Sequence, residues 1–168
     1  MAEAAASLRA QGVVDELKNA GVTHIVWLPD TESKYMYDAI QEDPGLQLVP
    51  ICREGEGPAI CLGLMMGGKT PILLIQNTGF FESGDAIRGI CLDLELPLLI
   101  MIGYRGYEPD GKPMIDSAGA FTEPMLKTWG IPYHLVDDDS HTSRIGKAFK
   151  EAQAASRPVA ILIGREYQ

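Results

Sequence analysis

Short apolar runs recur along the chain, and the stretches between them carry apolar residues at helical spacing. Residues 3–20 place Leu8, Val13, Val14 and Leu17 on one side of a helix, and Gly21 follows where a left-handed C-cap belongs. "THIVWL" then reads as a strand stopped by Pro29. Ser33 is positioned to cap a second helix through about Glu42, before Asp43-Pro44-Gly45 turns the chain. The alternation repeats: strand "LQLVPI", a helix over 57–67, strand "PILLIQ", a helix from about Glu82 to Leu94, strand "PLLIMIG", a long loop, and a helix ending at Trp129. Strand "YHLV", the turn "DDDSH", a helix over about 142–155 and strand "PVAILIG" complete the pattern. Runs that are apolar throughout belong to strands buried on both faces. The pattern therefore predicts an α/β, doubly wound, mostly parallel six-stranded sheet in one domain over 1–168, with helices on both faces and right-handed crossovers.

In such a sheet ligands sit beyond the carboxyl ends of the strands. That rule selects Pro29-Asp30-Thr31, Arg53-Glu54-Gly55-Glu56, Gln76-Asn77-Thr78-Gly79 and Gly103-Tyr104-Arg105. Loop 103–118 is long enough to suspect function. A chain of 168 residues can build a sizeable core, and 14 basic against 23 acidic residues give a net charge of −9. No Lys/Arg cluster could follow a phosphate backbone, so nucleic acid is not an expected partner. No apolar stretch reaches membrane-spanning length, and Cys52, Cys61 and Cys91 lack CxxC spacing. They read as small core residues of a cytoplasmic protein, without a disulfide, a zinc site or a membrane partner.

The segment "REGEGPAICLGLMMGGK" is nearly free of charge after its two glutamates. Its apolar residues lie on every side of the helix, which predicts enclosure all round, by the rest of the chain or by a partner subunit. Pro58 suits the first turn, and Glu54 and Glu56 precede it near the positive end of the peptide dipoles. A capping role is one reading. The other is a carboxyl kept from water because its proton is used. The "QNTG" stretch can be an ordinary strand-to-helix turn with Asn77 or Thr78 capping, or a place where a flat ring approaches closely. Phe80 and Phe81 read as core. Arg105 could clamp an anionic tail by paired hydrogen bonds, Lys112 less so, and Pro29-Asp30 could simply start a turn. His24, His134 and His141 begin strands or helices and are assigned no chemistry.

A strand, an acid and a Gly/Ala-rich helix with Gly63 nine positions after Glu54 resemble the pyrimidine-binding domain of thiamine-diphosphate enzymes. "GVTHIVWLPDT", "GGKTPILLIQNTGFFESGDAI" and "LELPLLIMIGYRG" are similar to sulfopyruvate decarboxylase alpha subunits and the matching half of phosphonopyruvate decarboxylases, over about residues 10–165. The resemblance implies that Glu54 hydrogen-bonds N1′ of the cofactor's aminopyrimidine, favouring the tautomer that deprotonates the thiazolium, and that Glu54 is the catalytic residue. It implies Pro29, Asn77, Thr78 and Gly79 as cofactor contacts, and Asp30 with Arg105 on the substrate side. Glu56 is read as a helix-start carboxylate or interface contact. Phosphonopyruvate decarboxylases carry a histidine near Ile115-Asp116-Ser117, and this chain has none there.

Enzymes of this kind hold the diphosphate and Mg²⁺ through a second domain with a GDG motif and an Asn about thirty residues later. Neither occurs in this sequence. The resemblance therefore implies a hetero-oligomer in which a beta subunit holds the metal and the diphosphate, acting on a small anionic 2-oxoacid. A carboligase subunit and a non-catalytic regulatory module of the same fold are the alternatives. A nucleotide-binding protein is disfavoured because no GxGxxG or GxxxxGK[ST] follows a strand.

Overall fold

The computed structural model describes residues 7–30, 34–108 and 116–168. The expected Ser33 cap, Lys112 and Ile115 lie outside them. Helix α1 (Ala10–Asn19) buries Ala10, Val13, Val14 and Leu17 on one stripe, and Gly21 leaves it at φ +83°. Strands β1 (His24–Trp27), β2 (Gln47–Pro50), β3 (Pro71–Gln76), β4 (Leu99–Gly103), β5 (Tyr133–Val136) and β6 (Val159–Ile163) form one sheet in the order β2-β1-β3-β4-β6-β5. Every pairing is parallel. The chain steps from β1 outward to β2, then returns to the other side of β1 for β3. The reversal opens a crevice at the carboxyl ends of β1 and β3.

Alternate residues of the central strands feed two cores. Ile25, Trp27, Ile72, Leu74, Met101 and Ile161 pack against α1, α2 (Lys34–Gln41) and α7 (Ser143–Ala155) on the back face. Val26, Leu73, Ile75, Ile100, Ile102 and Leu162 pack on the front face, beneath α3 (Gly57–Met66), α4 (Asn77–Glu82) and α6 (Ser117–Trp129). Each fully buried side chain of this size removes enough apolar surface from water to contribute about 1.5–3 kcal/mol.

Two expectations are corrected, and one open alternative is narrowed. The fourth helical stretch begins at Asn77, directly after β3, and not near Glu82. It passes through the short helix α5 (Gly84–Ala86) into a π-helical turn, Ile87–Leu92. Phe80, fully buried and 5.5 Å edge-on to Trp129, draws the Asn-Thr-Gly stretch into helical form against its turn preference. Cys52 is exposed, whereas Cys61 and Cys91 are buried and burial pushes both thiols up, that of Cys91 to about 12. Finally, the chain does not itself enclose α3. Gly57, Pro58 and Cys61 are buried, Ile60, Leu62, Leu64 and Met65 are half-buried, and Met66 is 82% exposed.

Candidate functional site

Close packing at its first turn fixes where α3 begins. A β-carbon on Gly57 would collide with Leu73 of β3, so only glycine permits this approach of helix to sheet. Pro58 occupies the first turn, where no N–H is required. Immediately before it, Glu54–Glu56 forms a 3₁₀ turn at the carboxyl edge of the sheet. Neither the 3₁₀ turn nor α3 receives a side-chain cap, so the capping reading of the two glutamates is not what the fold uses. Glu56 is exposed. Glu54 is half-buried, and its carboxylate forms no hydrogen bond among the described residues.

Gly79 lies directly under Glu54. A β-carbon there would stand 2.6 Å from Glu54 Oε1 and 2.8 Å from its Cδ, so the glycine is the seat of the carboxylate. The turn is fastened from α4. Glu82 Oε2 accepts the backbone N–H of Gly55 at 2.7 Å, and its other oxygen accepts Arg53 Nε. The hydrogen bond from Arg53 holds the Glu82 carboxyl below the ordinary glutamate range.

Asn77 is fully buried, and its amide nitrogen donates to the Arg105 carbonyl at 2.9 Å and to Thr122 Oγ1 at 3.2 Å. Its Oδ1 has no hydrogen-bond partner. Thr78 is exposed and donates to Gln76 Oε1 at 2.9 Å, and Gln76, not Asn77 or Thr78, occupies the N-cap of α4. Asn77 thus ties the turn after β3 to the turn after β4. There Arg105, half-exposed, pairs through Nε with Asp116 Oδ2 at 3.0 Å. Arg105 lines a cavity of about 160 Å³ with Tyr104, Tyr107, Leu74, Arg165 and Tyr167. Tyr104 and Tyr107 stack at 5.0 Å, and their hydroxyls donate to Glu123 and Asp137 respectively. Tyr167 is buried, its hydroxyl lacks a partner, and burial together with the charge of Asp30 keeps it protonated. Pro29 is exposed beside half-buried Asp30 at the end of β1.

The predicted residues therefore fall into two groups that meet at Asn77. Glu54 and Gly79 touch, whereas Arg105 lines the cavity and Asp30 lies within electrostatic reach of Tyr167 in its wall. Sequence reasoning did not identify Glu82, Glu123 or Tyr167, because each acts across 10 or more residues of chain and no local pattern marks such a contact. Among the described residues no three His, Cys, Asp or Glu side chains converge as a metal site, and no helix is long and apolar enough to cross a membrane. A half-exposed carboxylate with no hydrogen-bond partner among the described residues, seated on a glycine at the carboxyl edge of the sheet, can meet a ring nitrogen of an aminopyrimidine.

The six-stranded parallel sheet with helices on both faces is consistent with the pyrimidine-binding α/β fold of thiamine-diphosphate enzymes. Comparison with known families agrees. The chain belongs to the family described as "Thiamine pyrophosphate enzyme, N-terminal TPP binding domain", whose model matches residues 9–120. It is 30% identical over 162 residues to the sulfopyruvate decarboxylase subunit alpha of Methanococcus maripaludis, covering 94% of this chain and 95% of that protein. It is 25% identical over 159 residues to the subunit alpha of Methanothermobacter thermautotrophicus, covering 94% and 96%. A sulfopyruvate decarboxylase of Methanosarcina acetivorans is 26% identical over 152 residues, which span 90% of this chain and 38% of that longer protein.

Proposed function

We propose that the chain is the alpha subunit of a heteromeric, thiamine-diphosphate-dependent decarboxylase of sulfopyruvate or a similar small anionic 2-oxoacid, with Glu54 as its catalytic residue. The observation that carries this reading is the unpartnered Glu54 carboxylate seated on Gly79. The names of relatives matched along nearly their whole length support the substrate class and the division into subunits.

Thiamine diphosphate, when bound, supplies the electron sink for the pair left as carbon dioxide departs. The rest is the work of this chain. Glu54 shares a proton with N1′ of the aminopyrimidine, and water excluded at a subunit boundary strengthens that hydrogen bond. Gly79 leaves room for the Glu54 side chain at the edge of the ring's site, with Pro29 and Thr78 as further contacts to the ring. Asn77, buried, acts by holding the Arg105 turn in place. The Arg105 guanidinium, with Nε committed to Asp116, offers its terminal N–H groups to an anionic tail, and Asp30 orients the reacting end of the substrate.

The partner we propose is a beta subunit that carries Mg²⁺ and the diphosphate. The apolar surface left open on α3, together with Phe121 at 63% exposure and Leu94 at 59%, supports a second polypeptide on the front face. Isothermal titration tests the split site. The chain alone should bind thiamine diphosphate with Mg²⁺ weakly, and the complex with a co-expressed partner should bind it tightly. Turnover of a 2-oxoacid by the chain alone would overturn this reading.

A further inference from the structure

We infer that Glu82 is the positioning residue of the catalytic turn, holding Arg53, Glu54 and Gly55 against α4 so that Glu54 stays over Gly79. This rests on the reading of Glu54 as the group that meets the aminopyrimidine. The two residues flanking Glu54 both bond to the one carboxylate: Gly55 through its N–H at 2.7 Å and Arg53 through Nε. A residue whose neighbours on both sides are tethered has little freedom to swing its backbone. Glu54 needs such help, because its own carboxylate is held by no hydrogen bond among the described residues.

The seat and the clamp belong to one short helix. Gly79 and Glu82 are three residues apart on α4 and so lie on neighbouring turns of the same side. That helix is itself anchored: Phe80 is fully buried, and Ser83 Oγ donates to the Gly79 carbonyl at 2.8 Å. Glu54 is therefore referenced to the sheet twice through α4, by contact from below and by hydrogen bonds to its flanks. Arg53 and Glu82 are both partly exposed, 69% and 32% at the side chain, and exposed pairs add little stability. The clamp thus governs geometry and not whether the chain folds.

The test uses the assembled complex, with amide hydrogen exchange on the full chain as a readout independent of turnover. Glu82→Ala should leave circular dichroism unchanged, speed exchange of the Gly55 amide, and lower the rate of cofactor C2-proton exchange by roughly 10- to 100-fold, the scale of about 1 Å of misplacement. The loss should appear in kcat with KM unchanged. Glu82→Gln, which keeps an acceptor for Gly55, should recover most of it. Glu82→Asp, one methylene short, should behave as the alanine variant does and decides the matter if that variant does not fold. An unchanged Gly55 amide in Glu82→Ala would show that no clamp exists. A faster amide with C2 exchange at the wild-type rate would overturn the positioning role alone. Wild-type C2 exchange in a Glu54→Gln control would remove the catalytic reading of Glu54, and the role of Glu82 with it.

Discussion

Behind the sheet, α1, α2 and α7 close a core against which three half-buried apolar residues pack among those described, Ala20, Ala39 and Leu48. In front, fourteen do so, from Leu28 and Val49 through Ile60, Leu64 and Met65 of α3 to Met125 and Trp129 of α6. The back face is largely closed within the chain, with Tyr35 and Tyr37 of α2 left at its surface. The front face carries Glu54 and its supports, and it ends in apolar surface that water covers poorly. The difference teaches that stability and chemistry are separated here: one face builds the scaffold, and the other awaits a second surface that would dry the site. The largest effect expected on the front face is chemical. Glu54→Gln should preserve assembly with the partner while reducing C2-proton exchange by about 10²–10⁴-fold, read by deuterium incorporation.

On the back face the corresponding loss should be structural. Ile161, fully buried between the sheet and its helices, should cost about 2–5 kcal/mol as Ile161→Ala, measured by urea unfolding of the chain alone. Met66→Asp on exposed α3 should leave that unfolding within about 0.5 kcal/mol of wild type. It should nevertheless weaken association with the partner by more than about 1 kcal/mol, read by analytical ultracentrifugation. Equal effects of the two substitutions on unfolding would erase the distinction between the faces.

All six strands were legible because each is an apolar run bounded by Gly, Pro or polar residues, and the left-handed Gly21 marked the end of α1. The start of α4 was not. Asn77, Thr78 and Gly79 are turn formers by local preference, and burial of Phe80 with packing of Gly79 against Glu54 overrides that preference. The π-helical turn at Ile87–Leu92 carries no sequence signature. Of the site, Glu54 and Gly79 were found at positions that touch, because both follow parallel strands. The clamp from Glu82 was invisible: it joins residues 27 and 29 positions apart, and only the tertiary fold brings them together. Uniform hydrophobicity around α3 was also ambiguous between self-burial and a partner, and the half-open helix removes the first option.

The smallest effect separates how the two faces are held, by apolar packing behind and partly by charge in front. Glu123 on α6 accepts from Tyr133 at 2.5 Å, from Lys127 at 3.1 Å and from Tyr104 at 3.2 Å, and so braces the turn that carries Arg105. The hydrogen bond from Tyr133 holds the Glu123 carboxyl below its ordinary value, with burial opposing and Lys127 assisting. Because the folded value is depressed, the stabilisation is fully present above the ordinary glutamate value and is lost as pH falls through the folded one. Glu123→Gln should therefore cost about 1 kcal/mol near neutrality, and the gap to wild type should narrow in acid as pH falls through the depressed folded value and the wild-type carboxyl becomes neutral. Urea midpoints of the two chains at neutral and at acid pH measure this. The loss from Ile161→Ala involves no titrating group and should be similar at both. A Glu123 gap that persists in acid would mean that the front turn is held by shape alone, as the back face is.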